Sequence, residues 1–204
     1  PGKGFLTDII LDSNPRHLYA IEKDDTLCKE LLIKYKNNTK ITIINKDILE
    51  VDLSKFEDLY VFSNLPYNVG TKIILYLFQY SININSIVVM IQKEVADKFD
   101  YSLNKMNKYK FLTSLVSNYE KCFNVPPSVF KPKPKVNSTV VKYVIKKEIT
   151  DLNKAIIFCD KIFKNKRKMI YNKFENFDFN KNKLSNKRVE QLNIEELSKL
   201  YNSF

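Results

Sequence analysis

Short β-branched and aromatic runs alternate with stretches of helical period along this chain. The segments 17–22, 40–45, 59–63 and 86–92 are rich in Ile, Val, Leu, Tyr and Phe, and each predicts a strand. Ahead of the first and between the last two, 5–11 and 70–80 predict helices. The segment 24–36 puts Leu27, Leu31, Leu32 and Tyr35 at a helical period behind an Asp24 cap. Further helices are predicted over 93–99 and 109–119, and two late strands over 122–125 and 139–145. Such alternation is the pattern of a doubly wound, parallel, Rossmann-like α/β sheet. The late strand pair lacks a clear crossover helix and predicts an antiparallel edge. Tyr19, Phe62 and the other strand aromatics are expected in the core. From about Glu148 strand signals stop, and 152–163 and 194–201 carry helical periods. The chain reads as an α/β domain over 1–147 and a small all-helical domain over 148–204.

Charge adds a partner class. Over 204 residues, 34 Lys and Arg face 23 Asp and Glu, a formal charge of +11. That excess favours a polyanion, nucleic acid before an anionic membrane surface. Residues 147–204 carry 13 basic and 8 acidic side chains, against 21 and 15 over 1–146, so the tail is the more basic part per residue. Apolar runs such as 87–91 and 155–159 are far too short to span a bilayer. Cys28, Cys122 and Cys159 form no CxxC pair, so neither a structural zinc nor a disulfide framework is expected, and reduced thiols in a cytosol-like compartment are. The single histidine, His17, favours chemistry that needs none. The chain opens at Pro1 in the middle of a motif, and an upstream segment is expected.

In doubly wound sheets ligands bind beyond the carboxyl ends of the strands. Four such places carry chemistry. Gly2 and Gly4 precede a helix, where glycines admit a ligand close to the backbone; the same spacing also serves a plain tight turn. Glu22 ends the next strand, where a carboxylate can accept from both ribose hydroxyls or can cap the following helix. Asp47 follows the strand over 40–45 and can accept from an adenine amine or serve as a loop cap. Together the three suit an adenosine-containing ligand, whether NAD or S-adenosylmethionine. No third glycine follows Gly4 in the GxGxxG position, which weakens the NAD reading.

The fourth place, Asn64-Leu65-Pro66-Tyr67, is the decisive one. The exocyclic amine of adenine is a poor nucleophile because its lone pair is delocalised into the ring. Acceptors for its N–H groups, the Asn64 side-chain oxygen and the Leu65 carbonyl, draw the nitrogen towards a tetrahedral geometry. Pro66 has no N–H to compete and stiffens the turn. Tyr67 offers a face for an unstacked base. A sulfonium is an excellent leaving group, so positioning can supply most of the rate.

These residues resemble the ribosomal RNA adenine dimethyltransferases, and the resemblance covers nearly the whole chain. Pro1-Gly2-Lys3-Gly4-Phe5-Leu6-Thr7 looks like the rear of the family's E-x-G-P-G-x-G-x-L-T segment. Ala20-Ile21-Glu22-Lys23-Asp24 matches its ribose-binding acid, and Asn45-Lys46-Asp47-Ile48 its adenine-binding acid. Ser63-Asn64-Leu65-Pro66-Tyr67-Asn68 matches its target-adenine motif, and 91–96 resembles the segment after its fifth strand. The run 125–138 resembles its V-P-P-x-x-F-x-P-x-P-K-V-x-S loop, and 163–168 its F-x-x-R-R-K helical start. Tyr109-Lys110-Phe111-Leu112 stands where the family often has Y-G-R-L.

The resemblance implies a class I S-adenosylmethionine-dependent methyltransferase with Gly2, Gly4, Glu22, Lys23, Asp47, Ile48 and Asn64 about the cofactor. Asn64, Leu65, Pro66 and Tyr67 act at the target base. It implies four methyl transfers to N6 of two adjacent adenosines in a hairpin near the 3′ end of small-subunit ribosomal RNA, within a pre-ribosomal particle. RNA contacts are expected from Phe130, Lys131, Lys133 and Lys135 on the loop and from Lys166, Arg167 and Lys168 in the tail, where a solvated charged face is the alternative. A monomer, in the cytoplasm or an organelle, with no membrane partner and no metal, completes the expectation. Three other readings stay open: a large-subunit resistance methyltransferase, which more often has Ile before the Pro; an assembly or mitochondrial transcription factor without turnover; and a nicotinamide dehydrogenase.

Overall fold

The computed structural model describes residues 1–131, 133–147, 151–164, 168–173, 184 and 187–204. It divides into two compact units, Pro1–Phe56 and Glu57–Phe204.

The first unit follows the predicted order α1 (Phe5–Asp12), β1 (Leu18–Glu22), α2 (Asp25–Lys34) and β2 (Ile41–Asn45). β1 and β2 pair in parallel from Leu18↔Ile41 to Glu22↔Asn45, so the carboxyl ends of both strands lie side by side. The Asp24 carboxylate accepts from the Leu27 amide at 2.9 Å and starts α2, as the sequence suggested. The buried face of α2 is Cys28 and Leu31, while Leu32 points to solvent. Two 3₁₀ turns, Ile48–Glu50 and Leu53–Lys55, close the unit.

The second unit holds β3 (Leu59–Asn64), α3 (Gly70–Gln79), β4 (Ile84–Gln92), α4 (Lys93–Phe99), α5 (Lys108–Val116), β5 (Ser117–Val125) and β6 (Ser138–Ile145). Its sheet has the order β3-β4-β6-β5. β3 and β4 are parallel, and β6 is antiparallel to both β4 and β5, which is the expected antiparallel edge. β4 is an inner strand, with Ile84, Ile87, Val89 and Ile91 buried. Phe78 of α3, Phe99 of α4 and Tyr143 of β6 meet edge-on beneath it.

Two expectations fail here. The helix predicted over 109–119 ends at Val116, and Ser117 already opens β5. Ser117, Asn118 and Tyr119 are indifferent helix formers, and their ladder to Ile145, Val144 and Tyr143 of β6 outweighs local propensity. The strand aromatics are core only in part: Tyr143 of β6 is fully buried, but Tyr19, Tyr60 and Phe62 are 41%, 63% and 45% exposed. In β3 the two-residue period sends Tyr60, Phe62 and Asn64 to one face, and Leu59, Val61 and Ser63 to the other.

After β6 the described residues form α6 (Leu152–Phe163), α7 (Ile194–Asn202) and two 3₁₀ turns. They share one apolar core with α5, in which Phe111, Phe158, Ile162, Leu197 and Leu200 are buried. No helix among the described residues is long and apolar enough to cross a membrane.

Candidate active site

The first unit presents three of the predicted places at the carboxyl ends of β1 and β2. Gly2 and Gly4 adopt φ of 57° and 82°, the left-handed region that glycine enters without strain. The turn is closed by the Gly4 amide donating to the Pro1 carbonyl at 3.0 Å. Gly4 is needed for space as well. A Cβ there would stand 2.7 Å from the Tyr35 hydroxyl and 3.1 Å from a Leu31 methyl.

The Glu22 carboxylate sits against this turn. One oxygen accepts from the Gly2 amide and the other from the Asp24 amide, each at 3.0 Å. Burial works against its charge, yet the amides of Asp24 and Gly2 hold the carboxyl below its ordinary value. Each oxygen keeps lone-pair capacity for a further donor. Glu22 is thus both an anchor of the glycine turn and a fixed acceptor. The Asp47 carboxylate accepts from the Leu49 amide at 3.0 Å, the capping role weighed for it, and its second oxygen lies 3.9 Å from the Lys23 ammonium. Lys23 is exposed and Ile48 half-buried beside it.

A second support of the glycine turn escaped the sequence. Asp8 of α1 accepts from the Tyr35 hydroxyl and the Lys34 ammonium, both at 2.6 Å. The same hydroxyl lies 3.1 Å from the Gly4 carbonyl oxygen, and Lys34 reaches the Lys3 carbonyl at 3.4 Å. The hydrogen bonds from Lys34 and Tyr35 hold the Asp8 carboxyl below its usual range, and Asp8 raises the Lys34 ammonium in turn. In the sequence Tyr35 reads only as one more apolar position at helical spacing. Its hydroxyl and the 27-residue separation from Asp8 leave no local pattern.

The second unit carries the fourth place at the end of β3. Leu65 is buried, and its amide donates to the Met90 carbonyl at 3.1 Å. This bond fixes the strand end while leaving the neighbouring acceptors unused. Neither the Asn64 side-chain amide nor the Leu65 carbonyl has a hydrogen-bond partner among the described residues. Asn64 and Pro66 are exposed. The Tyr67 hydroxyl pairs with the buried Ser138 hydroxyl at 2.6 Å, which anchors the ring at its polar tip. Gly70 then opens α3, where a Cβ would make only ordinary contacts to Ile91 and Leu65.

The expected RNA contacts are placed in part. Lys131, Lys133 and Lys135 are exposed on the loop between β5 and β6, and Phe130 there is half-buried. Lys168 is exposed, while Lys166 and Arg167 lie outside the described residues. Lys110, at the departure from Y-G-R-L, is buried; its ammonium donates to the Leu103 and Asn104 carbonyls, both at 2.9 Å. It ties a turn. No cluster of metal-binding side chains occurs among the described residues.

This fold is that of the class I S-adenosylmethionine-dependent methyltransferases. The chain superposes over its full length on a dimethyladenosine transferase from Plasmodium falciparum, with a TM-score of 0.83, 21% identity and 86% of that chain covered. It matches a 23S rRNA methyltransferase, ErmE, at a TM-score of 0.79 and 20% identity, over 99% of this chain and 87% of that one. The family is shown by sequence. Residues 1–204 match the family model for ribosomal RNA adenine dimethylases. The ribosomal RNA small subunit methyltransferase A of Pelagibacter ubique is 37% identical over 95% of this chain and 77% of its own length. The chain belongs to the ribosomal RNA adenine dimethylase family.

Proposed function

We propose that this protein transfers methyl groups from S-adenosylmethionine to N6 of two adjacent adenosines near the 3′ end of small-subunit ribosomal RNA. The observation that carries the reading is the pair of unused acceptors, the Asn64 amide and the Leu65 carbonyl, at a strand end fixed from behind. Free acceptors there suit an amine with two N–H groups, and they match charge that develops as the nitrogen rehybridises. Tyr67, held by Ser138, offers its face to the flipped base. Pro66 contributes stiffness and no competing donor.

The cofactor binds through the first unit. Gly2 and Gly4 let backbone approach it, the pre-set Glu22 carboxylate accepts from the ribose hydroxyls, and Asp47 accepts from the adenine amine through the oxygen its cap leaves free. Lys23 and Ile48 flank that acid. S-adenosylmethionine supplies the methyl group and a neutral thioether leaving group; the displaced N6 proton passes to solvent, so no buried base is needed. The domain over 148–204, with Lys168, Lys166 and Arg167, and the loop of Phe130, Lys131, Lys133 and Lys135 bind RNA phosphates. The substrate is a pre-ribosomal particle in whichever compartment, cytoplasm or organelle, assembles it, and the enzyme acts as a monomer.

Leu65 before Pro66 and the small-subunit name of the Pelagibacter relative favour this target over large-subunit RNA. The test offers small and large subunits, both lacking the modification, with labelled S-adenosylmethionine. Label confined to two adjacent small-subunit adenosines supports the reading. Label on the large subunit, or binding without transfer, contradicts it.

A further inference from the structure

In the second unit, the carboxyl end of β4 and the start of β6 border a half-open pocket of about 350 Å³, lined among others by Gln92, Lys93, Glu94, Lys135 and Asn137. Its place follows from register. Asn64 pairs with Met90, and the Leu65 amide bonds to the Met90 carbonyl. Gln92 lies two residues further along β4, about 7 Å at the strand rise. It pairs with Ser138, the residue that holds Tyr67, and the Lys93 amide bonds to the Asn137 carbonyl at 2.9 Å. The pocket is therefore the next site along from the target-base acceptors.

Its chemistry suits a base with its phosphate. The side-chain amides of Gln92 and Asn137 have no partner among the described residues. Asn and Gln amides can pair bidentately with an adenine edge. Lys93 is held by Asp97 at 2.8 Å, and Glu94 is paired with Lys98 at 3.4 Å. Lys135 has no carboxylate partner among the described residues, so the uncompensated charge is positive. The volume lies at the small end of the usual range for ligand pockets, roughly 300–1,000 Å³, the scale of one nucleoside.

We infer that this pocket receives the neighbouring adenosine while its partner lies at Asn64, with Gln92 and Asn137 reading the base and Lys135 meeting a phosphate. The inference rests on the proposed reaction, in which two adjacent adenosines are methylated in turn. A covalently linked neighbour must go somewhere within one nucleotide of the target, and this pocket offers unused amides there.

The test uses unmodified small subunits in which either adenosine is replaced by uridine, and follows methylation of the one that remains. The wild-type enzyme should lose about tenfold in kcat/KM on replacement of the neighbour, a discrimination of the size one bidentate pair supplies. A Gln92→Ala, Asn137→Ala double variant should be slow on the natural pair and indifferent to the replacement. A wild type indifferent to the neighbour, or a variant that discriminates as the wild type does, would overturn the inference. A wild type inactive on the natural pair would defeat the underlying reaction, and the inference with it. Should the double variant not fold, Lys135→Gln should lower the salt slope of particle binding by about one unit; an unchanged slope refutes the phosphate role.

Discussion

Glu22 does two jobs with one carboxylate. It fixes the glycine turn through the Gly2 amide, and under the proposed function its remaining lone pairs accept from the cofactor ribose. Glu22→Ala removes both, so calorimetry should show S-adenosylmethionine affinity falling about 10- to 100-fold, the size of a lost charged hydrogen bond. Unchanged affinity would leave Glu22 a purely local anchor. Tyr35 acts at one remove. Tyr35→Phe keeps the ring under α1 and deletes only the hydroxyl between Asp8 and Gly4. The Kd for cofactor should rise about 2- to 10-fold with kcat at saturating cofactor unchanged. A fall in kcat with an unaltered Kd would contradict a positioning role. The two residues also differ in legibility. Glu22 stands at a predicted strand end, where a carboxylate has a known use. The meaning of Tyr35 depends on a contact across 31 residues to Gly4, which no periodicity encodes.

At the scale of elements, α4 is tied to the sheet by charge as well as by Phe99. Asp97 accepts from Lys93 of its own helix and from Lys121 of β5, both at 2.8 Å. Burial opposes its charge, but the two ammonium groups hold the carboxyl below its ordinary value of 3.8. A carboxyl depressed in the folded state stabilises above its unfolded value, and that contribution is lost as pH falls through the folded one. Asp97→Asn should therefore cost about 1 kcal/mol at neutral pH. The gap to wild type in melting temperature should close on acidification below 3.8. A gap that persists in acid would assign the loss to packing. Element boundaries followed the sequence wherever local and tertiary preferences agree. The Asp24-capped α2 begins at Asp25, and α6 spans Leu152–Phe163 as its period predicts. They diverged at Ser117, where pairing to β6 overrode a helical period. Tyr19 and Phe62 were misplaced because β-propensity says nothing about which face of a strand is covered.

For the whole molecule, the positive charge was legible at once and its placement was not. Lys131, Lys133 and Lys135 all face solvent on one loop, whereas Lys110 is spent inside the fold on two carbonyls. Replacing the three loop lysines by Gln should flatten the dependence of log Kd for the particle on log salt by about two to three units. An unaltered slope would make that loop a solvated face. The motif 64–67 was readable because its chemistry is local: an acceptor side chain, an acceptor carbonyl, a proline and an aromatic in succession. What the sequence could not show is that both acceptors are left without partners while the adjacent Leu65 amide is taken up by Met90. That arrangement is the centre of the account, and Asn64→Ala tests it most directly, with methyl transfer and particle binding measured on the same protein. In this variant kcat should fall at least about 100-fold, the loss typical of one transition-state hydrogen bond, with particle affinity unchanged within twofold. A variant that still transfers methyl groups at the wild-type rate, or that loses affinity in proportion to activity, would contradict it.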